Sequence, residues 1–214
     1  MRNVVGVAVS LGYIMGVLLF SAKVTWLGME FSRKFAHMMV ANWWFIGNYF
    51  FTNVFACSLV PGIIGVVMAL SYKYNFFKGV ERPGQKNSYG TVYYFISILL
   101  LVNISFRIYG NMIPLGIYFV PLGYGDGVAA LAGKKFHKGC FSIRGCQKSL
   151  SGSMAMFIIS LASMLIYSAA YSLDYSIDKL VILSLVATVI EGISVNGTDN
   201  LTIPLGTFLI SWLV

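Results

Sequence analysis

Charge is scarce in this 214-residue chain: Lys, Arg, Asp and Glu together make up 10% of it, against roughly 25% in a soluble domain. With 58% of the residues hydrophobic, that scarcity excludes a self-contained water-soluble globule, because a chain this short cannot hide so much apolar surface by itself. Acid is the scarcest of all, 7 Asp and Glu against 15 Lys and Arg, for a net charge of +8. In a chain this apolar, such an excess reflects basic cytoplasmic loops rather than a nucleic-acid partner, and none is expected. Cysteine is limited to Cys57, Cys140 and Cys146, which form neither an even set nor a metal-ligand spacing, so a disulfide framework is excluded. Repeats of useful period, low-complexity tracts and interdomain linkers are also lacking, which excludes solenoids and a second domain.

What is present in quantity is long apolar runs. A bilayer-spanning helix needs about 20 mostly apolar residues, and stretches such as Tyr93 to Val102 lack the in-out alternation of a barrel strand. The expected architecture is therefore all-α: one integral membrane domain over 1–214, a polytopic bundle of seven or eight transmembrane spans. The runs and their breaks place spans near 3–21, 35–52, 54–72, 91–109, 112–132, 153–170, 180–194 and 200–214. Val4 to Phe20 has the apolar core of a signal peptide behind Arg2, but no small-x-small cleavage site follows and Lys23 comes early. It is read as the first span.

If every run crosses, the loops alternate sides and the charges test the arrangement. Lys23, Arg33 and Lys34 precede the second span; Lys73, Lys78, Arg82 and Lys86 follow the third; Lys134, Lys135, Lys138, Arg144 and Lys148 separate the fifth and sixth. All these positions fall on one side, which the positive-inside rule makes cytoplasmic. The opposite side has Arg2 and Lys179 with Asp174 and Asp178.

Against that apolar background the polar residues stand out. Asp126 lies toward the cytoplasmic end of its span, flanked by Gly123, Gly125 and Gly127. A carboxylate in hydrocarbon costs roughly 2.5 to 3.5 kcal/mol on insertion scales and is usually paired or functional. The glycines suit either a broken helix lining a polar cavity or close small-residue packing. Lys134 follows, then Lys148, Ser149, Gly152 and Ser153 open the next span. Lysines, hydroxyls and free N–H groups at a helix start suit phosphate. Arg33, Lys34 and His37 open the second span, and Glu191 with Asp199 and Asn200 brackets the last cytoplasmic turn. All map to one face, and acids for a divalent ion beside lysines for phosphate are what phosphoryl transfer from a nucleotide needs. A soluble P-loop is absent, since Gly127 to Gly133 before Lys134 and Lys135 has the wrong spacing and no Ser/Thr.

Four ordered motifs resemble those of the polyprenol kinase family, which includes dolichol kinase, phytol kinase and the fungal CTP-dependent diacylglycerol kinase. Arg33, Lys34 and His37 match its Arg-Lys-x-x-His. Asp126, Ala129 and Gly133 are similar to its CTP-binding pattern, and Lys148, Ser149, Gly152 and Ser153 to its Lys-Ser/Thr-x-x-Gly-Ser. Glu191, Asp199, Asn200 and Pro204 match its terminal Glu with Asp-Asn-Leu-Thr-Ile-Pro. The chain departs from the pattern at His137, where a glycine is common, and at Ser151, where a glutamate is common.

The resemblance implies a Mg2+-dependent kinase that moves the terminal phosphoryl group of CTP to the hydroxyl of a membrane lipid alcohol, such as a polyprenol, phytol, geranylgeraniol or diacylglycerol. Catalytic roles fall to His37, Asp126 and Asp199. Nucleotide and phosphate binding fall to Arg33, Lys34, Ala129, Gly133, Lys134, Lys148, Ser149 and Gly152, and metal binding to Asp126, Glu191, Asp199 and Asn200. The partners are then a nucleoside triphosphate, a lipid alcohol and the bilayer, with the site at the cytoplasmic face. Two other readings use the same residues: a cytidylyltransferase forming a CDP-lipid, and a small transporter coupling to a cation at Asp126 and Glu191.

Overall fold

The computed structural model describes residues 1–74, 89–136, 138–143 and 146–214. Lys78, Arg82, Lys86, His137 and Arg144, to which the sequence reading assigns loop charge or a motif departure, lie outside the described residues.

The first pass is α1 (Arg2–Lys23), followed through a short 3-10 turn by α2 (Met29–Ala41) and α3 (Trp43–Phe50). Then come α4 (Val54–Tyr74), α5 (Gly90–Tyr109), α6 (Ile113–Val120) and α7 (Gly127–Phe136), the last two joined by a π-helical segment, Pro121–Asp126. Strands β1 (Cys140–Ile143) and β2 (Cys146–Ser149) precede α8 (Leu150–Ala170), α9 (Ile177–Ile193) and α10 (Asp199–Ile210). The bundle is helical as expected. The loop between the fifth and sixth apolar runs instead folds as an antiparallel hairpin, with Cys140 opposite Ser149 and Phe141 opposite Lys148.

Among the described residues, five helical stretches are long and apolar enough to cross a membrane: Arg2–Leu27, Val54–Tyr74, Gly90–Tyr109, Ile113–Phe136 and Leu150–Ala170. The second expected span is interrupted at Asn42, which ends α2 and leaves α3 with eight residues. Asn42 Oδ1 accepts a 2.7 Å hydrogen bond from the Tyr124 hydroxyl, so the interruption also ties this pass to the π segment.

Ile113–Phe136 is the central helix, with 72% of its most apolar stretch buried against 28 to 39% in the other four. Large apolar side chains such as Phe55, Val66, Ile158, Ile166 and Val189 point outward, while Ser10, Ser21, Ser97, Ser105, Ser160 and Ser184 are fully buried between helices. Bulky side chains such as Trp43, Trp44 and Phe119 are buried too, but the small buried serines let helices approach closely, and the outward apolar groups suit lipid tails, which solvate leucine as well as another leucine does.

At the end of the bundle holding the start of α1, Arg2 donates to the Tyr49 carbonyl, and Asn3 exchanges hydrogen bonds with Thr52 at 3.0 and 3.1 Å. Lys179, at the start of α9, donates to the Ser211 and Val214 carbonyls at 2.8 Å. Mid-bundle, the Tyr167 hydroxyl donates to the Ile113 carbonyl at 2.8 Å and accepts from Trp44 Nε1 and Asn48 Nδ2, each at 3.2 Å. Gly116 makes room for this knot, since a Cβ there would overlap the Tyr167 hydroxyl and approach Trp44 Nε1 to 2.5 Å. Gly116→Ala should therefore cost about 1 to 3 kcal/mol of stability, read as a lowered melting temperature in detergent. Tyr167→Phe should also lower it, because Trp44 Nε1 and Asn48 Nδ2 lose this acceptor; an unchanged melting temperature in both variants would contradict this packing.

Candidate active site

The opposite end of the bundle carries a cavity of about 410 Å³, within the range of small-molecule sites. The sequence-predicted residues Arg33, Lys34, Asp126, Ala129, Gly133, Lys134, Lys148, Ser149, Gly152, Glu191, Asp199 and Asn200 all line it. They come from α2, the π segment, α7, the hairpin, α8, α9 and α10. His37 alone among the predicted residues is not on this wall; it lines an adjoining apolar cleft.

Asp126 ends the π segment, whose extra residue per turn widens the helix and is frequent at functional sites. The helix is not broken there, and its glycines pack closely. Side chains at Gly123 and Gly127 would run into Ala41 and Met38 of α2, and one at Gly125 into Met156 and Ser160 of α8. The close approach puts Asp126 against α2, where its Oδ2 accepts from Lys34 Nζ at 2.5 Å and lies 3.5 Å from His37 Nε2. Lys34 and Asp126 are both 3% exposed. His37 Nε2 is also 2.8 Å from the Leu122 carbonyl, an obligate acceptor, so in the neutral ring Nε2 carries the proton and Nδ1 is the basic nitrogen. Tyr94 packs on the imidazole with centroids 4.4 Å apart and donates to the His37 carbonyl at 3.0 Å.

A second ion pair mirrors the first. Lys148, on β2, reaches the end of α9, donating to Glu191 Oε1 and, at 2.7 Å, to the Glu191 carbonyl. The third cation, Arg33, donates through Nη2 to Glu30 Oε1 at 2.5 Å. Asp199 opens α10 and accepts from the Asn200 backbone N–H at 2.9 Å and its Nδ2 at 3.1 Å. Asn200 Oδ1 is buried without a partner among the described residues. Among the described lining residues, Arg33, Lys34, Lys134 and Lys148 balance Glu30, Asp126, Glu191 and Asp199. The described wall is thus densely charged, and its charges balance.

The start of α8 differs from the expected phosphate cradle. Ser149 caps the helix by accepting from the Gly152 N–H at 3.1 Å, while the Leu150 and Ser151 N–H groups donate to the carbonyls of Gly139 and Lys138. Those N–H groups are occupied, which leaves cationic side chains and the helix dipole to attract an anion. Gly133 and Ala129 bring α7 against this cap, a Cβ at Gly133 falling 2.8 Å from Ser149 Oγ.

Sequence reasoning missed Glu30, Gly90, Thr91 and the Asn196–Gly197 turn, all on the cavity wall. Glu30 lay three residues before Arg33, a helical ion-pair spacing. Asn196 and Gly197 both have positive φ, 55° and 84°, and an Asn-Gly pair ahead of Asp199 is a turn signal visible in sequence.

Mg2+ requires oxygen donors and usually takes only one or two protein carboxylates, completing its shell with phosphate and water. Among the described residues no group of three or more His, Cys, Asp or Glu gathers closely enough to cage a metal. The all-oxygen set of Asp126, Glu191, Asp199 and the orphaned Asn200 Oδ1 around one cavity nevertheless fits a Mg2+–phosphate complex.

The chain is 30% identical over 199 residues to the phytol kinase of Synechocystis sp., covering 86% of this chain and 78% of that protein. It is 32% identical over 208 residues to a probable chloroplastic phytol kinase of Triticum aestivum, covering 86% and 67%. A probable phytol kinase of Oryza sativa is 29% identical over 207 residues, covering 86% and 64%. No family model matches the chain, and no solved structure does.

Removing Lys34 alone strands the Asp126 carboxylate in a buried site, which typically costs 3 to 5 kcal/mol, whereas removing both charges of such a pair is often near neutral. Lys34→Met should therefore lower the melting temperature sharply, and Lys34→Met with Asp126→Leu should restore most of it. Equal losses in the two proteins would show that the pair is not what holds α2 to the π segment.

Proposed function

Since the chain belongs to the polyprenol and phytol kinase family, we propose that it is a membrane lipid kinase that transfers the terminal phosphoryl group of CTP to the hydroxyl of a prenyl-type alcohol. The observation that carries this reading is the cavity itself: lysines and carboxylates from four helical passes and the hairpin share one pocket at one end of an apolar bundle. Phosphoryl transfer asks little covalent chemistry of the protein and much positioning and charge.

In the resting pocket Arg33, Lys34 and Lys148 each lean on a carboxylate. An arriving triphosphate competes for Lys34 and Lys148, and as these lysines turn to phosphate oxygens they release Asp126 and Glu191. Those carboxylates, with Asp199 and Asn200, are then the groups that would hold Mg2+, which when bound offsets charge on the phosphates. Lys134 and Arg33 stand at the same wall for the remaining oxygens. Ala129, Gly133 and the Ser149–Gly152 cap shape the floor.

His37 Nδ1 takes the proton of the alcohol. The alcohol oxygen forms its bond to the terminal phosphorus as the bond from that phosphorus to the bridging oxygen breaks, and CDP leaves. Asp126, 3.5 Å from His37 Nε2, stabilises the imidazolium that results.

The alternating course of the passes, with the start of α1 and the start of α9 at the end away from the cavity, supports eight crossings, the shorter α2–α3, α9 and α10 included. The twelve basic residues assigned to one side support a cytoplasmic cavity. Cys140 is exposed and Cys57 buried. A membrane-impermeant maleimide should therefore label Cys140 in inside-out vesicles and not in right-side-out ones; the reverse pattern would invert the topology.

Purified protein given CTP labelled at the terminal phosphate, Mg2+ and phytol should place the label on the lipid. Label recovered as pyrophosphate would instead support the cytidylyltransferase. Asp126→Asn, close to isosteric, should reduce transfer by roughly 100-fold or more in folded protein; full activity would remove Asp126 from the site.

A further inference from the structure

We propose that the acceptor alcohol reaches the cavity through the apolar cleft between α1, α2 and α5, and that Thr91 seats its hydroxyl. This rests on the lipid-kinase reading and adds the route and the seat of the acceptor.

The cleft is walled by Leu18 of α1, Ala36 and Val40 of α2, and Tyr94 and Phe95 of α5. Its open volume is about 30 Å³, room for the end of a slim chain and not for a ribose or a triphosphate. α1 packs mainly on α2, α3 and α4, and α5 on α4, α6 and α10, so the two helices that flank the cleft scarcely touch each other. That leaves a narrow seam between them, its apolar wall only 1 to 3% exposed, in which the end of an apolar chain can lie while its head points inward.

The cleft and the charged cavity meet at the start of α5. Arg33, Gly90, Thr91 and Asn200 line both spaces, so a group passing from one to the other passes these four residues. A Cβ at Gly90 would lie 3.1 Å from Asn200 Nδ2 and 3.3 Å from Gly197 Cα. Glycine there lets α5 approach the turn before Asp199 and brings Thr91 beside Asn200.

Thr91 is half-buried, and its hydroxyl has no hydrogen-bond partner among the described residues. A threonine hydroxyl both donates and accepts, so it can hold an alcohol oxygen without fixing which way the O–H points. His37, the proposed proton acceptor, faces the same cleft. An alcohol seated on Thr91 therefore has its apolar chain in the seam, the base at its side and the Asp199–Asn200 end of the charged cavity ahead.

The test is kinetic and chemical. Thr91→Val keeps the shape and removes the hydroxyl; Thr91→Ser keeps the hydroxyl. With phytol and CTP, Thr91→Val should lower kcat/KM for the alcohol roughly tenfold and leave KM for CTP unchanged, and Thr91→Ser should stay near the unaltered protein. In the unaltered protein, a prenyl alcohol bearing a diazirine near its hydroxyl should crosslink to α1, α2 or α5. Normal alcohol kinetics in Thr91→Val, or crosslinks confined to α7 to α10 while the probe is still phosphorylated, would overturn the cleft and leave the kinase standing. Failure of the unaltered protein to phosphorylate any alcohol would overturn the kinase reading and this inference with it.

Discussion

The 2.5 Å contact between Lys34 and Asp126 is the constraint around which the rest is arranged. Each partner is costly in a bilayer alone, and each is buried to 3% exposure, so the two passes that carry them must dock in one register. The π segment supplies the rotation that aims Asp126 at α2, and its glycines supply the clearance. Once those passes are fixed, His37 is held between the Leu122 carbonyl and the Asp126 carboxylate, and the wall of the cavity is set. The Lys148–Glu191 pair does the same on the far side, joining the hairpin to the end of α9.

These pairs also explain how a pocket with so many charges exists in a chain with so few. Opposite charges at contact distance lower the cost of burying each other. A pocket whose described charges balance is tolerable at the edge of an apolar bundle, and it holds both kinds of group that the proposed reaction needs, cations for phosphate and carboxylates for metal. Burial alone makes these pairs weak evidence of function. What raises them above structural ion pairs is that both open on one cavity together with Asp199, Lys134 and an amide oxygen that nothing among the described residues satisfies.

Much of this was legible in the sequence, because in a membrane chain polar residues are expensive and therefore conspicuous. The apolar runs placed the helices to within a few residues, except where the second begins at Met29 rather than 35 and is interrupted by Asn42, and five of the stretches are long and apolar enough to cross a membrane among the described residues. Asp126, Lys148 and Glu191 stood out by the same logic. The pairing between them did not, because Lys34 and Asp126 are 92 residues apart and nothing local to either residue specifies the other. The hairpin was missed because Cys140–Ser149 reads only as a polar loop. Gly90 and Thr91 were missed because neither carries charge. Their position follows from α5 meeting the Asn196–Gly197 turn, a tertiary contact. The occupied N–H groups at the start of α8 were likewise invisible, since two of them are satisfied by Lys138 and Gly139 across the hairpin.

The account centres on one pocket in which lysines exchange carboxylates for phosphates. A structure of the protein in a lipid nanodisc with Mg2+ and a non-hydrolysable CTP analogue tests this most directly. The account predicts the terminal phosphate between Lys34 and Lys148, with both lysines turned from Asp126 and Glu191. A triphosphate bound elsewhere, or bound here with both ion pairs intact, would contradict it.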